Sequence, residues 1–290
     1  MSETRKLEVV LAEALGFCFG VRDAIALVRE RARRGPVTVL GPIVHNPLVV
    51  SALEREDVKF VKRLDEVVPG SELVLTPHGV ADSVHEKARE RAGHVADATC
   101  PLVRRVHDAV TELRAEGRHV VLLGRRDHVE VQGLVQSFPE GAVTVILSED
   151  EVPLLAGKGR LGIVAQTTQP LERVRALVAA IEKTGADLVF VDTVCYPTKV
   201  RQEAVKKLAC TCEAVVIVGG RTSNNTRELA DTVRAHGARA LWVERASELD
   251  PSWFSGLRRV GVTAGTSTPD EAVADVVAAL EGLVLPALAG

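Results

Sequence analysis

The sequence predicts an α/β protein whose parallel strands are buried between helices, and three observations carry that expectation. Val/Ile/Leu-rich runs alternate with amphipathic charged stretches along the whole chain, the pattern of strands covered on both faces. The runs fall into three sets of four. In each set a cysteine follows the first run closely and a helical stretch comes next, so the cysteines are in register with the repeat.

In chain order, the first set has strand-like runs near 7–12, 37–40, 57–60 and 72–75, with Cys18 after the first. The second has runs near 94–98, 119–123, 142–147 and 160–165, with Cys100 in the same place, and the third near 187–192, 214–218, 239–243 and 259–263, with Cys195. A polar cluster follows each second run: H-N at 45–46, H-V-E at 128–130 and S-N-N at 223–225. Each fourth run enters another: T-P-H-G at 76–79, Q-T-T at 166–168 and T-S-T-P at 266–269. Loops at the carboxyl ends of buried parallel strands are where open α/β sheets bind ligands. Equivalent loops in three sets predict one shared site and a pseudo-threefold arrangement of αβ units, a trefoil, with the cysteines nearest its axis. The units run over 1–99, 100–194 and 195–290, and no Pro/Gly/Ser-rich linker separates them, so they are expected to pack closely.

Composition removes several functional classes. A chain of 290 residues with 46% hydrophobic side chains buries a large core. With a net charge of −3, interspersed charges and 3% aromatics, it offers neither a nucleic-acid stripe nor stacking platforms. The start, M-S-E-T-R-K-L-E, lacks the apolar region of a signal peptide, and no apolar run reaches the roughly 18 residues of a membrane span. A cytoplasmic location without membrane or nucleic-acid partners is expected. Five cysteines and no export signal argue against a disulfide framework and for metal, catalytic or core roles.

Three isolated cysteines at equivalent positions suit a soft metal or an iron–sulfur cluster. A cubane has four irons, so three thiolates leave one iron open to a substrate, as catalytic metal sites do. Cys210 and Cys212, at a helix-to-strand join, read as structural. His45, His78 and His128 lie in the strand-end loops and are the candidates to neutralise a phosphate's charge or relay protons, whereas His94 and His119 immediately precede strands. Glu130, two residues after His128, is a candidate proton donor. The run G-G-R-T-S-N-N-T at 219–226 follows an apolar strand and opens a helix, which suits a phosphate cradle or a plain N-cap. In T-A-G-T-S-T-P-D at 263–270, Ser267 or Thr268 is placed to cap the last helix, with Pro269 in its first turn. No Walker sequence and no G-x-G-x-x-G after a strand is present, so neither nucleoside triphosphate nor dinucleotide binding is indicated. Two other readings of the cysteines are a Cys₃His zinc site completed by His78 and a cluster-bearing redox sensor, which needs no phosphate pocket.

G-F-C-F-G-V, V-H-N, P-H-G-V, D-A-T-C-P-L-V, H-V-E-V-Q-G, Q-T-T, C-Y-P-T-K-V-R-Q, S-N-N-T and V-T-A-G-T-S-T-P-D occur in that order. In these motifs, from about residue 8 to 280, the chain resembles the 4-hydroxy-3-methylbut-2-enyl diphosphate reductase family. The resemblance implies the last step of the non-mevalonate isoprenoid pathway: reductive removal of a hydroxyl, giving isopentenyl and dimethylallyl diphosphates. It implies a trefoil with a central [4Fe–4S] cluster on Cys18, Cys100 and Cys195, the substrate hydroxyl meeting the open iron. His45, His78, Ser223, Asn225 and Ser267 match its diphosphate binders, with Asn224 in a neighbouring slot that is often Ser. His128, Thr167 and Glu130 match the group around the hydroxyl, with Glu130 as proton source. Electrons would come from ferredoxin or flavodoxin. Leu15 stands where Arg is common, Arg125 where His is usual and Val129 where Pro is usual, and P-T-K-V after Tyr196 is atypical. These departures are where a paralogue with another substrate or donor would differ.

Overall fold

The computed structural model describes residues 4–286; the terminal residues 1–3 and 287–290, included in the first and third units above, lie outside the described residues. Three four-stranded sheets share one strand order. The first is built from β3 (Val37–Leu40), β4 (Val58–Val61), β5 (Glu72–Leu75) and β6 (His94–Asp97), ordered β4-β3-β5-β6. The second, from β7 (His119–Leu123), β8 (Val143–Ile146), β9 (Leu161–Ala165) and β10 (Leu188–Phe190), is ordered β8-β7-β9-β10. The third joins β11 (Ala214–Val218), β12 (Arg239–Val243) and β13 (Arg259–Ala264) to β2 (Glu8–Leu11), in the order β12-β11-β13-β2. Every pair in them is parallel.

The α/β class and the three αβ units are therefore as the sequence predicts, but the sheets are offset by one strand from the sets read along the chain. The strand before each cysteine opens its set in sequence, yet it is the edge strand of another set's sheet. Parallel strands pair through crossovers, so the hydrophobic runs locate strands without revealing partners. A short antiparallel ribbon of β1 (Thr4–Lys6) and β14 (Val284–Pro286) has no signal in the alternation of runs. Pro286 is tolerated there because an edge strand leaves ladder donors unused.

The chain divides into two compact units. One comprises the chain to Cys18, residues 44–49 and the chain from Tyr196, and carries the third sheet; the other comprises 19–43 and 50–195 and carries the first and second. In the third sheet, Val216 and Val218 of β11 enter one core with Val273, Val276 and Leu280 of α9 (Asp270–Glu281). Val215 and Ile217 enter the opposite core with Val205 and Leu208 of α7 (Tyr196–Thr211) and Leu229 of α8 (Asn224–Ala235). This is the period-two alternation of a strand buried on both faces. The second sheet repeats it: Val121 and Leu123 face α6 (Leu171–Glu182), while Val120 and Leu122 face α4 (Pro101–Ala115) and α5 (Val129–Gln136).

Glycines in the third strand of each of these sheets let a helix settle close. A Cβ on Gly162 would stand 2.9 Å from Leu113 of α4, and one on Gly261 3.2 Å from Leu208 of α7. Leu113 and Leu208 lie at the same distance in sequence from Cys100 and Cys195, so the same contact seats each cysteine's helix. Among the described residues no helix is long and apolar enough to cross a membrane.

Candidate functional site

Each of the three cysteines stands immediately before a helix: Cys18 before α1 (Phe19–Ala32), Cys100 before α4 and Cys195 before α7. One backbone bond recurs at all three. Cys18 N–H donates to Thr266 O at 3.1 Å, Cys100 N–H to Pro77 O at 3.0 Å and Cys195 N–H to Thr167 O at 2.9 Å. Each acceptor is the second residue beyond the end of β13, β5 or β9, so the motifs T-S-T, T-P-H-G and Q-T-T have a shared structural task. Asp97 Oδ1 accepts from Thr99 N–H and Asp192 Oδ1 from Val194 N–H, turns that lead the chain into Cys100 and Cys195. Before Cys18 the turn is made instead by Gly16 at φ +73°, where a Cβ would lie 2.3 Å from Asp270 Oδ1.

These cysteines are free and half-buried. A Cβ on Gly20 would stand 2.6 Å from Cys100 Sγ, so the glycine keeps a hollow for that sulfur. Among the described residues no three His, Cys, Asp or Glu side chains gather tightly enough to hold a single metal ion. Three free cysteines, each heading a helix, are a donor set whose chemistry suits a [4Fe–4S] cluster. Cys212 is buried with Leu208 and Val215, its thiol pKa pushed up by burial, and Cys210 is exposed at the end of α7.

In the unit of the first and second sheets, Glu130, Thr167, His128 and His78 come together. Glu130 lies in the first turn of α5 and is 4% exposed. Its Oε1 accepts from Thr167 N–H at 2.7 Å, and its Oε2 from Thr167 Oγ1 at 2.8 Å. It shares a small cavity with Val103, Val106, His107, Leu122, Val131, Leu134 and Gln166. Burial pushes the carboxyl from 4.5 up to about 7, outweighing the two bonds from Thr167, which favour the anion. His128 caps α5: its Nδ1 accepts from Glu130 N–H at 3.2 Å, which in the neutral ring leaves the proton on Nε2. The His78 ring meets that of His128 edge-on, with centroids 5.9 Å apart. Arg125 is ion-paired to Asp127 at 2.6 Å and donates its backbone N–H to Gln166 Oε1 at 3.1 Å. Val129 is the first residue of α5, a position where Pro is favoured because the N–H has no helical partner.

In the other unit, His45 and the 219–226 loop come together. Gly220 lies so close to the His45 backbone that a Cβ would stand 2.3 Å from its carbonyl oxygen. Burial lowers the His45 pKa, favouring the neutral ring. Ser223 caps α8, accepting from Thr226 N–H at 3.3 Å, and Ser223, Asn224 and Asn225 are all buried. Asn225 Oδ1 accepts from Thr266 N–H at 3.1 Å. Thr266 thus holds Asn225 in the first turn of α8 through its amide and Cys18 through its carbonyl, a connecting role with no sequence signal beyond its place in the repeat. Ser267 Oγ is buried and has no hydrogen-bond partner among the described residues, an arrangement that costs free energy until something accepts or donates there. The expected cap on the last helix is not formed by Ser267 or Thr268. Pro269 occupies the cap position, and Thr268 Oγ1 instead donates to Val218 O at 2.9 Å. With its side chain drawn into the sheet, Thr268 ties the loop to β11.

The fold and these residues define an α/β protein of three parallel sheets with a cysteine heading one helix in each repeat. Residues 9–281 match the model of the family described as LytB protein, and the chain belongs to that family. It is 39% identical to the 4-hydroxy-3-methylbut-2-enyl diphosphate reductase of Geobacter metallireducens, over 93% of this chain and 96% of that one. The same-named protein of Geobacter sulfurreducens is 40% identical over the same shares. The solved E-1-hydroxy-2-methyl-but-2-enyl-4-diphosphate reductase of Plasmodium falciparum superposes with a TM-score of 0.89 at 28% identity, over 94% of this chain and 88% of that one. A second solved structure, described as (E)-4-hydroxy-3-methyl-but-2-enyl diphosphate reductase, the terminal enzyme of the non-mevalonate pathway, gives 0.70 at 37% identity, over 96% of this chain and all of its own. The named relatives are reductases, and this chain is a member of their family.

Proposed function

We propose that the protein reductively dehydroxylates 4-hydroxy-3-methylbut-2-enyl diphosphate to isopentenyl and dimethylallyl diphosphate. The reaction breaks the allylic C–O bond, consumes two electrons and two protons, and releases water. Cys18, Cys100 and Cys195 would hold a [4Fe–4S] cluster, which when bound supplies a Lewis-acidic iron and an electron path. Within the fold, Glu130 carries the observation that supports this reading most strongly: a buried carboxyl poised near neutral pH and pinned by Thr167. A leaving hydroxyl needs a proton at the moment the bond breaks, and an acid titrating near the working pH delivers one best. Thr167 fixes the direction of that carboxyl, while His128 caps the helix that carries it and packs edge-on against His78.

His45, Ser223, Asn224, Asn225 and Ser267 are assigned to the diphosphate. The N-terminus of α8 presents backbone N–H groups and a favourable dipole to an anion, and the unpartnered Ser267 hydroxyl is a ready donor. Residues 1–99, 100–194 and 195–290 are taken as the three repeats. Electrons come from an external carrier of the ferredoxin or flavodoxin class, and the protein works in the cytoplasm. The test is turnover of the anaerobic protein with a chemical reductant, products being read by mass spectrometry. Five-carbon diphosphates lacking the hydroxyl support the proposal, and unaltered substrate with reduced, cluster-loaded protein contradicts it.

A further inference from the structure

We infer that Arg201 is a positioning residue for the cysteine site, fixing the Cys18 turn against the first turn of the helix that follows Cys195. The inference rests on the cluster reading above and names a residue that reading does not use. Arg201 lies in α7 and is 6% exposed. Its Nη1 donates to Pro197 O at 3.1 Å and its Nη2 to Gly16 O at 2.7 Å, the second bond joining residues 185 apart in sequence.

Gly16 is where the Cys18 turn is set. Its positive φ and its contact with Asp270 fix the backbone on one side, and two residues later Cys18 N–H is bonded to Thr266 O. The Gly16 carbonyl is held by Arg201. Because Leu208 of α7 is seated on Gly261 of β13, the helix that carries Arg201 is itself anchored to the sheet, and the guanidinium passes that anchorage to the turn. A guanidinium suits the task, since its planar fork presents separate donors to two carbonyls where a lysine ammonium is a single point charge on a flexible stem. An aliphatic side chain would fill the same space without desolvating a charge, so the forked pair of bonds is what the arginine adds.

Two measurements on the full-length, anaerobically purified protein test this. Hydrogen–deuterium exchange reads protection of residues 14–18, and iron release to a chelator reads cluster retention. In Arg201→Met, exchange at the Cys18 turn should rise about tenfold or more, as for loss of a buried charge-assisted bond. Iron release should accelerate to a similar degree, and the electron paramagnetic resonance g values of the reduced cluster should shift, while circular dichroism stays that of the parent. Arg201→Lys, able to restore one bond, should recover part of each effect, and it carries the test alone if the Met variant does not fold.

Unchanged exchange at residues 14–18 overturns the inference whatever the iron content. Faster exchange with unaltered iron release and g values also overturns it, because Arg201 would then only pack. A parent protein that binds no iron contradicts the cluster reading and the positioning role with it, a result visible before any variant is made.

Discussion

Glu130 is buried with its carboxyl pKa raised, and Ser267 is buried with a hydroxyl that has no hydrogen-bond partner among the described residues, so each carries a cost to the resting fold. Glu130→Gln keeps the shape of the side chain and removes the proton, so turnover should fall about 10²–10⁴-fold with cluster content and substrate affinity retained; near-normal turnover would refute its role. The pH dependence follows from the same group. Below pH 4.5 the carboxyl is protonated in folded and unfolded chains alike. As pH rises from there to about 7 the unfolded chain ionises first, so stability declines across that window and then levels off. The full loss is about 3 kcal/mol from the size of the shift, and urea unfolding at pH 5 and pH 8 should show most of it in the parent and not in Glu130→Gln. Turnover that depends on the acid form should likewise decline as pH rises through about 7. Ser267→Ala should unfold at the same or higher urea concentration without substrate, because it deletes an unsatisfied buried hydroxyl, yet raise KM. Glu130 is legible in the sequence as a carboxyl beside His128, but its raised pKa is not, because the apolar wall comes from α4 and β7 as well as its own helix.

At the scale of elements, glycines decide how closely loops and helices approach. Gly20→Ala would drive a methyl into Cys100 Sγ, and the expected product is folded protein with much reduced iron content; full loading would show that this hollow is dispensable. Gly220→Ala would press on the His45 carbonyl and should cost about 1–3 kcal/mol of stability, measured by thermal unfolding, with weaker diphosphate binding. The helix starts after the cysteines and the strand-end loops are legible because apolar runs and turn residues mark them locally. What escapes is any feature made by a distant partner: the bond from Cys18 to Thr266, the diversion of Thr268 to Val218, and the edge position of the strands that precede the cysteines.

For the whole molecule, the repeat is the organising fact. Four hydrophobic runs per set gave three sheets of identical order, although the offset by one strand and the β1–β14 ribbon lay outside what runs alone encode. The repeat also separates Cys18, Cys100 and Cys195, each heading a helix, from Cys210 and Cys212 at the end of α7. Cys195→Ser should lose or degrade the cluster, whereas Cys210→Ser and Cys212→Ala should keep it, with iron and sulfide analysis as the check. The most direct measurement is the Mössbauer and visible spectrum of anaerobically purified, iron-57-loaded protein before and after adding 4-hydroxy-3-methylbut-2-enyl diphosphate. The protein should be brown, with one [4Fe–4S] cluster per chain and a substrate-induced change at a single iron. A colourless protein carrying stoichiometric zinc, or a cluster whose irons are all indifferent to the substrate, would contradict this.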